Sequence, residues 1–487
     1  RPAPQPFRPE GQVSGQRVII LGAGLTGMAA AYELGKLGYN CQILEARARP
    51  GGRCWTVRRG TTETDLDGAT QIAKFDRGLY FNPGPARIPQ HHHTTLDYCK
   101  TFKVPVEVFT NVNEAAYYYN QGSRPLNNRP VRIRAAKADM RGYVSELLAK
   151  AISQEALDQP LTGADRQRML DFLSQEGALS AARRYTGSNR RGFRSLPGAG
   201  QQPGTVDDPM ALDDLLQAGF GSYFSTEYDI HQQMTMFQIV GGTDRLAAAF
   251  EQRVGDKITY QAEVTEIRRT SQGVRIVYRA GDRDEREQRA DFCICTIPLS
   301  VLRDIPADFS TAMQRAIAAV FYLPTGKVGL QFSRRFWEED DRIFGGISRT
   351  NLNITQIWYP SSGYLGQKGI LVGAYNFAQQ AINLGNLSPE QREAQVLREG
   401  GLIHPQYAAD FENSFSVMWH NTEYSRGGWA FYSDDVRRTH YPVLNQPDGP
   451  IYLAGEHLSY LTGWMAGAFE SAQAVVTALH ERVLAGG

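Results

Sequence analysis

The sequence is poor in cysteine and has no long apolar run. Its five cysteines, Cys41, Cys54, Cys99, Cys293 and Cys295, are odd in number and show no Cys-x-x-Cys spacing. This pattern argues against a disulfide framework and against a zinc site, so we interpret the cysteines as core thiols. No stretch approaches the roughly 18 consecutive apolar residues of a membrane-spanning helix, and we expect the chain as given to be soluble.

An excess of either charge is also missing. The chain has 487 residues, and its 52 lysines and arginines nearly equal its 51 aspartates and glutamates, for a formal net charge of +1. No global field therefore favours nucleic acid or an acidic membrane as a partner, and we expect a small neutral or zwitterionic ligand. One hydrophobic core usually serves roughly 250 to 300 residues, so the length predicts two or more domains.

The first ten residues, RPAPQPFRPE, are rich in proline and begin with arginine instead of methionine. Such a start is typical of a processed or trimmed N-terminus. A signal sequence that once preceded it would be invisible. The localisation is therefore left open, and export after removal of such a signal is one alternative.

Residues 17–53, RVIILGAGLTGMAAAYELGKLGYNCQILEARARPGGR, predict a strand, a tight turn, a helix and a second strand. In the turn, Gly22, Gly24 and Gly27 form a Gly-x-Gly-x-x-Gly motif, which permits a sharp turn, close approach of a pyrophosphate and close helix packing. The helix N-terminus offers N–H groups and the positive end of a dipole. Glu45, which ends the second strand, can accept a hydrogen bond from a ribose hydroxyl.

Two further segments complete this predicted nucleotide site. Gly51, Gly52 and Arg53 supply a second glycine pair and a cation well placed for phosphate, with an ordinary surface turn as the alternative. At the other end of the chain, GPIYLAGEHLSYLTGWMAGAFESAQAVVTALHERV predicts a strand, then Glu456 and His457, and then a long helix. We therefore expect a site assembled from both chain ends and a middle piece.

The middle of the chain changes character twice. Beyond residue 125 the sequence is charged, amphipathic and rich in helix formers, which predicts a helical insertion that ends in a Gly-, Ser- and Pro-rich connector at residues 187–205. Near Gln238 strand patterns return: IVGGTDRLAAAF predicts a turn and a helix, and ITYQAEVTEIRR with GVRIVYR predicts a hairpin. The run DFCICTIPLSVL predicts a buried strand that ends at Pro298.

The segment YFNPGPARIP, residues 80–89, predicts a stiff loop. Pro83, Pro85 and Pro89 fix the backbone, and Gly84 lets another group approach closely. An arginine on such a loop, Arg87, is held in one direction. His91, His92 and His93 follow; because adjacent side chains on a regular element do not face one metal, we interpret them as loop or helix start and predict no metal site.

Taken together, these segments resemble the flavin-dependent amine oxidases, and among them the L-amino acid oxidases, especially bacterial ones. The resemblance runs from about residue 15 over nearly the whole chain. The resemblance rests on the motifs GAGLTG with LEARARPGGR, FNPGPARIP, IVGGTDRL, TGKVGLQF and GEHLSYLTGWMAGAFESA, which occur in the family's order. This order is more specific than any single motif.

The resemblance implies an α/β (α+β) fold with a Rossmann-like FAD-binding domain, a substrate domain of mixed β-sheet and a helical insertion. The expected FAD-binding domain comprises residues 14–72, 239–320 and 447–487. The expected substrate domain comprises residues 73–125, 226–238 and 321–446. The helical domain is expected at residues 126–225, and a homodimer is expected because relatives are often dimers.

The resemblance also assigns substrate residues. The arginine that matches Arg87 pairs with the substrate α-carboxylate; the alternative is a structural arginine paired with an internal acid. Tyr375 matches a tyrosine that supports the same carboxylate, and Trp464 and Trp429 match aromatic side chains on either side of the substrate, with core packing as the alternative for Tyr375 and Trp429. Gln232 (or Gln233) and Phe237 are candidates for the side-chain pocket.

Lys327 resembles the family lysine that holds a water at the flavin N5 and assists the reaction with oxygen; a solvent-facing lysine on an edge strand is the alternative. The expected FAD-binding residues are Gly22, Gly24, Leu25, Thr26, Gly27, Glu45, Ala46, Arg47, Gly52, Arg53, Pro85, Ala86, Arg87, Val264, Gly455, Glu456, Gly463, Trp464, Met465 and Ala468. Because SYLTGW lacks the cysteine to which monoamine oxidases attach flavin, we predict non-covalent FAD. No histidine occurs in residues 126–225, so no histidine base is expected.

The reaction that the resemblance implies is hydride transfer from an L-α-amino acid to flavin N5, followed by hydrolysis to a 2-oxoacid and ammonia, with oxygen reduced to hydrogen peroxide. Because the amine must first lose its proton, activity is expected to rise toward alkaline pH. The alternatives are an amino acid monooxygenase or oxidative decarboxylase, an amine oxidase, and an FAD-binding interaction module without activity.

Overall fold

The computed structural model describes residues 7–157, 161–281 and 284–486. Residues 1–6, most of the proline-rich start discussed above, lie outside the described residues. No helix in the described ranges has the length and apolar character needed to cross a membrane.

The strands are β1 (Arg17–Leu21), β2 (Asn40–Leu44), β3 (Thr62–Thr64), β4 (Thr70–Ile72), β5 (Val106–Thr110), β6 (Tyr117–Tyr119), β7 (Val131–Arg132), β8 (Thr235–Ile239), β9 (Ile258–Thr259), β10 (Ala262–Thr270), β11 (Gly273–Ala280), β12 (Asp284–Ala290), β13 (Phe292–Cys295), β14 (Phe321–Tyr322), β15 (Thr325–Phe332), β16 (Gly346–Thr350), β17 (Gln356–Tyr359), β18 (Gly369–Phe377), β19 (Phe411–Met418), β20 (Ala430–Phe431) and β21 (Ile451–Leu453).

The α-helices are α1 (Leu25–Lys36), α2 (His93–Thr101), α3 (Ile133–Ser153), α4 (Gly163–Glu176), α5 (Leu212–Gln217), α6 (Gly221–Phe224), α7 (Asp244–Val254), α8 (Leu299–Leu302), α9 (Thr311–Ala319), α10 (Phe336–Glu339), α11 (Ala378–Gly385), α12 (Pro389–Gly401), α13 (Tyr407–Asp410), α14 (Asp434–Thr439), α15 (Tyr441–Leu444) and α16 (Met465–Leu484). Short 3-10 helices include Ile230–Gln232 and Glu456–Leu458.

The predicted β–α–β unit is confirmed as part of a parallel five-stranded sheet in the order β21-β13-β1-β2-β9. Apolar side chains of β1 and β2 pack together with side chains of α1, α7 and α16 in one core, which covers one face of the sheet. Burial on both faces explains the continuous apolar runs of these strands. Both chain ends thus contribute to one sheet.

The other face of this sheet is covered by the predicted hairpin. Strands β10, β11 and β12 form an antiparallel sheet, and their apolar side chains share a core with β1, β13, α8 and α9. The strand predicted to end at Pro298 is β13. A parallel sheet between two layers, with its carboxyl edge open, is the arrangement in which ligands bind at the ends of the strands.

A second sheet of seven strands has the order β19-β15-β18-β17-β16-β6-β7 and is mixed, because β16 and β6 run parallel while the other neighbours are antiparallel. Helices α3, α5 and α12 contribute to the core on this sheet. Residues 126–225 contain α3 to α6, so their predicted helical character is confirmed. The division into domains at the boundaries given above stays a prediction.

Candidate active site

A cavity of about 790 Å³ opens at the carboxyl ends of the parallel strands and extends to the seven-stranded sheet. At its first end it is lined by residues that directly follow β1, β2 and β13, namely Gly22, Glu45 and Thr296. At its other end, Lys327 of β15 and Tyr375 of β18 line it. One continuous space therefore connects the predicted nucleotide site with the predicted substrate site.

Glu45 stabilises the glycine turn at the first end. Its carboxylate accepts a hydrogen bond from the Ala23 N–H at 2.7 Å and another from the Arg47 N–H at 2.9 Å. These contacts tie the end of β2 to the turn after β1, so the side chain has a structural task in addition to the ribose contact predicted for it. Each carboxylate oxygen can accept more than one hydrogen bond, and Glu45 also lines the cavity.

Arg53 lines the cavity and also takes part in an ion pair. Its Nη1 donates to Glu456 Oε1 at 3.0 Å and to the Gly428 carbonyl oxygen at 2.6 Å. Glu456 is buried and also accepts from the Gly463 N–H at 3.0 Å. The two residues predicted as separate phosphate and ribityl contacts thus form one ion pair that joins the first and last segments of the chain.

The cavity retains groups that fit a dinucleotide. The N-terminus of α1 has Gly24 as its N-cap, without a capping side chain and without an acidic residue in its first turn. Its N–H groups and dipole therefore remain suited to a pyrophosphate. Both ring nitrogens of buried His457, which also lines the cavity, have no hydrogen-bond partner among the described residues. Burial lowers the pKa of His457 to about 3, so the ring is neutral at pH 7.

The loop at residues 80–89 is fixed by contacts as well as by its prolines. Lys327 Nζ donates to the Gly84 carbonyl oxygen at 2.6 Å, and Trp419 Nε1 donates to the Pro83 carbonyl oxygen at 2.9 Å. Ile88 exchanges two backbone hydrogen bonds with Phe237. A Cβ at Gly84 would overlap the carbonyl oxygen of Arg53, which identifies the group whose close approach this glycine permits.

Arg87 extends from this loop into the cavity. Its Nη1 donates to Asn111 Oδ1, and its guanidinium lies over the Trp358 ring, 4.5 Å from the centroid. No carboxylate of the described residues lies within 4.0 Å of it, which disfavours a structural arginine paired with an internal acid. Burial lowers the pKa of Arg87 to about 10, so the guanidinium stays charged at pH 7.

Lys327 is buried at 2% exposure on β15, an interior strand between β19 and β18. The alternative of a solvent-facing lysine on an edge strand is therefore wrong. Nζ donates to the carbonyl oxygens of Asn82 and Gly84, and Tyr375 lies directly opposite on β18. Burial, reinforced by the charge of Arg87, lowers the pKa of Lys327 to about 7.

Aromatic rings line the space around these cations. Trp464 lies with its ring centroid 5.9 Å from the Arg87 guanidinium, and Trp429 packs edge-on against Phe377 at 5.7 Å. Both tryptophans line the cavity. Burial raises the pKa of Tyr375 to about 12, so its hydroxyl remains a donor at physiological pH. This end of the cavity therefore combines cations, a hydroxyl and aromatic walls, which suit a small anionic or zwitterionic molecule.

Residues 25–480 match the family described as flavin containing amine oxidoreductase. The chain belongs to the flavin-containing amine oxidoreductases. The protein is therefore a flavin-dependent enzyme with a small molecule and oxygen as its substrates, and the assignment of the cavity as the flavin site stays a prediction.

Two relatives of this oxidoreductase are named for amino acids. YobN of Bacillus subtilis (strain 168), provisionally named an L-amino-acid oxidase, is 29% identical over 475 residues, which cover 94% of this chain and 93% of YobN. The L-amino acid oxidase of Bothrops pictus is 27% identical over 481 residues, which cover 94% of this chain and 88% of that protein.

Solved structures similar to the oxidoreductase are named for other amines. Cyclohexylamine oxidase from Brevibacterium oxydans IH-35A superposes with a TM-score of 0.63 at 16% identity, covering 96% of this chain and 99% of that one. Wild-type putrescine oxidase bound to putrescine gives a TM-score of 0.61 at 19% identity, with 97% and 100% coverage. At these identities the similarity establishes the fold, and the Rossmann-like FAD-binding fold with a substrate domain is confirmed.

Most of the predicted site residues of the oxidoreductase line the cavity, although their individual roles stay predictions. They are Gly22, Gly24, Leu25, Thr26, Glu45, Ala46, Arg47, Gly52, Arg53, Pro85, Ala86, Arg87, Gln232, Val264, Lys327, Tyr375, Trp429, Gly455, Glu456, Gly463, Trp464, Met465 and Ala468. Two others do not line it. Gly27 packs α1 against the backbone of Gly22, and Phe237 packs against the core of the parallel sheet.

Asn111, Arg349 and Trp358 are among the lining or supporting residues that the sequence did not predict. Asn111, which binds Arg87, directly follows β5. It reaches the site because β5 pairs with β8, in a register that places Phe109 opposite Met236, 127 residues further along the chain. Arg349 of β16 and Trp358 of β17 line the cavity. Gln356 and Trp358 lie two positions apart and therefore on one face of β17, a pattern from which their common direction could have been predicted. No sequence pattern indicates Asn111 or Arg349 as site residues.

The histidines also differ from expectation. His93 begins α2, which agrees with the interpretation of the triplet as loop or helix start. His91 and His92, however, lie in the preceding turn, and their ring nitrogens converge with those of His231 within 4.8 Å. The argument that adjacent histidines do not face one metal applies to regular elements, and His91 and His92 precede α2, so the absence of a metal site stays a prediction. His231 lies six residues beyond the expected helical domain, residues 126–225, which contains no histidine.

Proposed function

We propose that the protein catalyses the FAD-dependent oxidative deamination of L-α-amino acids to 2-oxoacids, ammonia and hydrogen peroxide, with FAD bound non-covalently. The observation that carries this proposal is the half-buried guanidinium of Arg87, which lines the cavity without a carboxylate from the described residues. A buried cation without an anionic partner is costly unless a ligand supplies the anion.

The substrate α-carboxylate is the anion that fits best. A guanidinium presents two parallel N–H donors to a carboxylate, and Asn111 occupies one donor of Arg87 while Trp358 supports its face. The hydroxyl of Tyr375 can donate to the same carboxylate. Simple amines such as putrescine or cyclohexylamine carry no group for this arginine. The names of the relatives from Bacillus subtilis and Bothrops pictus point to the same substrate class.

The chain's own residues position the substrate and adjust its charge. FAD, when bound, supplies the acceptor of a hydride from the substrate Cα. Arg87 and Tyr375 hold the carboxylate, and Trp464 and Trp429 restrict the position of the amine and the side chain. The pKa of Lys327 is lowered by burial to about 7. The side chain donates to two carbonyl oxygens, and its ammonium form has a third donor for a water, which helps the reaction with oxygen.

Non-covalent attachment is supported by the positions of the thiols. Of the five cysteines, Cys54 alone lines the cavity, and burial raises the pKa of its thiol to about 12. The thiolate is the reactive form, so this side chain is inert near pH 7. The segment between Glu456 and Trp464 contains no cysteine.

The experiment that tests the proposal is anaerobic flavin absorbance. The yellow holoenzyme is mixed in turn with L-phenylalanine, D-phenylalanine and phenethylamine, which share one aromatic side chain. Bleaching by L-phenylalanine alone supports the proposal, and bleaching by phenethylamine moves the protein to the amine oxidases. If no amino acid or amine bleaches the flavin, the protein is an FAD-binding interaction module.

Product analysis under air distinguishes an oxidase from the remaining alternative, an amino acid monooxygenase or oxidative decarboxylase. Phenylpyruvate with one equivalent of hydrogen peroxide supports an oxidase. Phenylacetamide with carbon dioxide identifies a monooxygenase or oxidative decarboxylase on the same scaffold. The expected homodimer stays a prediction, to be measured by light scattering on the same preparation.

A further inference from the structure

Three histidines from two distant segments meet beside the substrate end of the cavity. His91 and His92 lie in the turn before α2, and His231 lies in the 3-10 helix Ile230–Gln232. The two segments are held together by the backbone pairing of Ile88 with Phe237. Across residues 7–157, 161–281 and 284–486, this is the one group of three His, Cys, Asp or Glu side chains whose ligand atoms converge in this way.

The spacing of the ring nitrogens matches a coordination sphere. His91 Nε2 lies 3.0 Å from His231 Nδ1, and His92 Nε2 lies 3.2 Å from the same atom. A tetrahedral zinc ion with bonds of about 2.0 to 2.1 Å to nitrogen holds its ligand atoms about 3.3 to 3.4 Å apart. Small adjustments of the rings would therefore admit a cation between them.

Hydrogen bonding alone does not satisfy this cluster. The Gln90 N–H donates to Gln233 Oε1, which orients the amide so that Gln233 Nε2 donates to His91 Nδ1. His91 then carries its proton on Nε2 and donates to His231 Nδ1. His92 Nε2 faces the same single lone pair, so it either competes as a second donor or opposes it with its own lone pair. A cation that accepts these lone pairs removes the conflict.

We propose that His91, His92 and His231 form a binding site for one divalent cation of the Zn²⁺, Ni²⁺ and Cu²⁺ class, with water in the remaining position. Neutral imidazoles suit these borderline cations, whereas Mg²⁺ and Ca²⁺ prefer oxygen ligands. For His91 to bind through a deprotonated Nε2, its proton moves to Nδ1, and the amide of Gln233 turns to present its oxygen to that N–H. The site does not depend on which amine or amino acid the enzyme oxidises.

The site is connected to the substrate end of the cavity. The ring of His92 packs edge-on against Trp464, with centroids 5.0 Å apart. His231 precedes Gln232, whose carbonyl oxygen accepts from Asn111 Nδ2 at 3.2 Å, and Asn111 binds Arg87. A bound cation would hold Gln232 and Asn111 in place and lie near Trp464, so tryptophan fluorescence reports its arrival.

The test is calorimetric titration of untagged holoenzyme with ZnCl₂, without amino acids because these chelate the metal. We expect one saturable site per chain, absent in His231→Gln and in His92→Gln and unchanged in His93→Gln, the neighbouring exposed histidine. Ni²⁺ and Cu²⁺ are expected to quench tryptophan fluorescence in the wild type and in His93→Gln only. No saturable site in the wild type, or equal binding by His231→Gln, overturns the proposal.

A second variant keeps the proposal testable if a histidine substitution impairs folding. In Gln233→Glu a carboxylate can accept from both the Gln90 N–H and the protonated His91 Nδ1. Because such outer partners fix ligand orientation, Gln233→Glu should tighten zinc binding about tenfold. Weaker or unchanged zinc binding by Gln233→Glu would count against coordination through His91 Nε2.

Discussion

The two ends of the cavity differ in how their charges are balanced. At the nucleotide end, Arg53 pairs with Glu456, and Glu45 accepts two backbone N–H groups. At the substrate end, Arg87, Lys327 and Arg349 line the cavity, and none of them has an ion pair within 4.0 Å among the described residues. Folding thus completes the first end with the chain's own groups, whereas the second end keeps positive charge that an anionic ligand can neutralise.

The largest expected effect is on stability, and it tests whether the Arg53–Glu456 ion pair balances the charge at the nucleotide end. Glu456→Gln removes the carboxylate from a buried ion pair and leaves Arg53 uncompensated, which should lower the free energy of unfolding by about 3 kcal/mol. Denaturant unfolding of the flavin-free protein measures this change. Glu339→Gln, which breaks the exposed pair with Arg334, should cost less than about 1 kcal/mol. Equal costs for the two variants would show that the pair contributes no more than a surface contact.

The next effect concerns catalysis at the substrate end. Lys327→Met removes the buried ammonium and should lower kcat/KM for oxygen roughly 100-fold, the usual cost of losing one preorganised electrostatic group. Steady-state rates at varied oxygen concentration measure this, and reduction of the flavin by substrate, followed anaerobically, serves as the control. A loss in the reduction step with unchanged oxygen kinetics would contradict the assigned role.

The same variant has a distinct signature in stability. Burial lowers the pKa of Lys327 to about 7 from an ordinary 10.5, so folding of the flavin-free protein releases a proton between these pH values. Lys327 therefore costs stability in full below pH 7, and the cost fades as the pH rises toward 10.5. Lys327→Met should raise Tm more at pH 6 than at pH 10. A larger rise in Tm at pH 10 than at pH 6 would mean that burial of the Lys327 ammonium does not destabilise the folded protein.

Asn111 offers a smaller test of how Arg87 is positioned. Asn111→Ala removes one hydrogen bond to a charged group, which should raise KM for L-phenylalanine about tenfold. Asn111→Asp should be worse, because its carboxylate pairs with Arg87 and competes with the substrate. Kinetics with both variants measure the order. A better KM in Asn111→Asp than in Asn111→Ala would argue that Arg87 does not bind the substrate carboxylate.

The smallest effect concerns the side chain of the substrate. Arg349 lines the cavity, and burial lowers its pKa, which favours a bound anion beside it. Arg349→Met should raise KM for L-glutamate about threefold and leave KM for L-phenylalanine unchanged, as expected for one partly solvated charge pair. Arg349→Lys should retain most of the preference. Equal changes in KM for both substrates would mean that Arg349 supports the shape of the cavity and does not bind the side chain of the substrate.

The same contrast explains what could be predicted from the sequence. The glycine turn, the β–α–β unit and the hairpin are local patterns, and each was found where expected. Arg87 and Lys327 were found through short motifs on a loop and a strand. Asn111, Arg349 and His231 lie in no such motif. Asn111 and His231 reach the site only because β5 pairs with β8, a strand more than 100 residues away in the sequence.

Two residues predicted for the site make contacts that no local pattern indicates. Arg53, predicted near a phosphate, also pairs with Glu456, which lies 403 residues away and is joined to it by no local pattern. Phe237 was assigned to the pocket, but on β8 successive side chains point to opposite faces, and the pairing of β8 with β5 directs its ring to the core.

The most direct measurement compares Arg87→Met with the wild type on L-phenylalanine and on phenethylamine. These substrates differ only in the carboxylate. The proposal predicts that kcat/KM for L-phenylalanine falls about 10- to 150-fold, which corresponds to the loss of one charge-assisted pair worth roughly 1.5 to 3 kcal/mol. The rate with phenethylamine, however slow, should stay unchanged or rise. An equal fall with both substrates would contradict the assignment of Arg87 to the carboxylate and with it the proposed function.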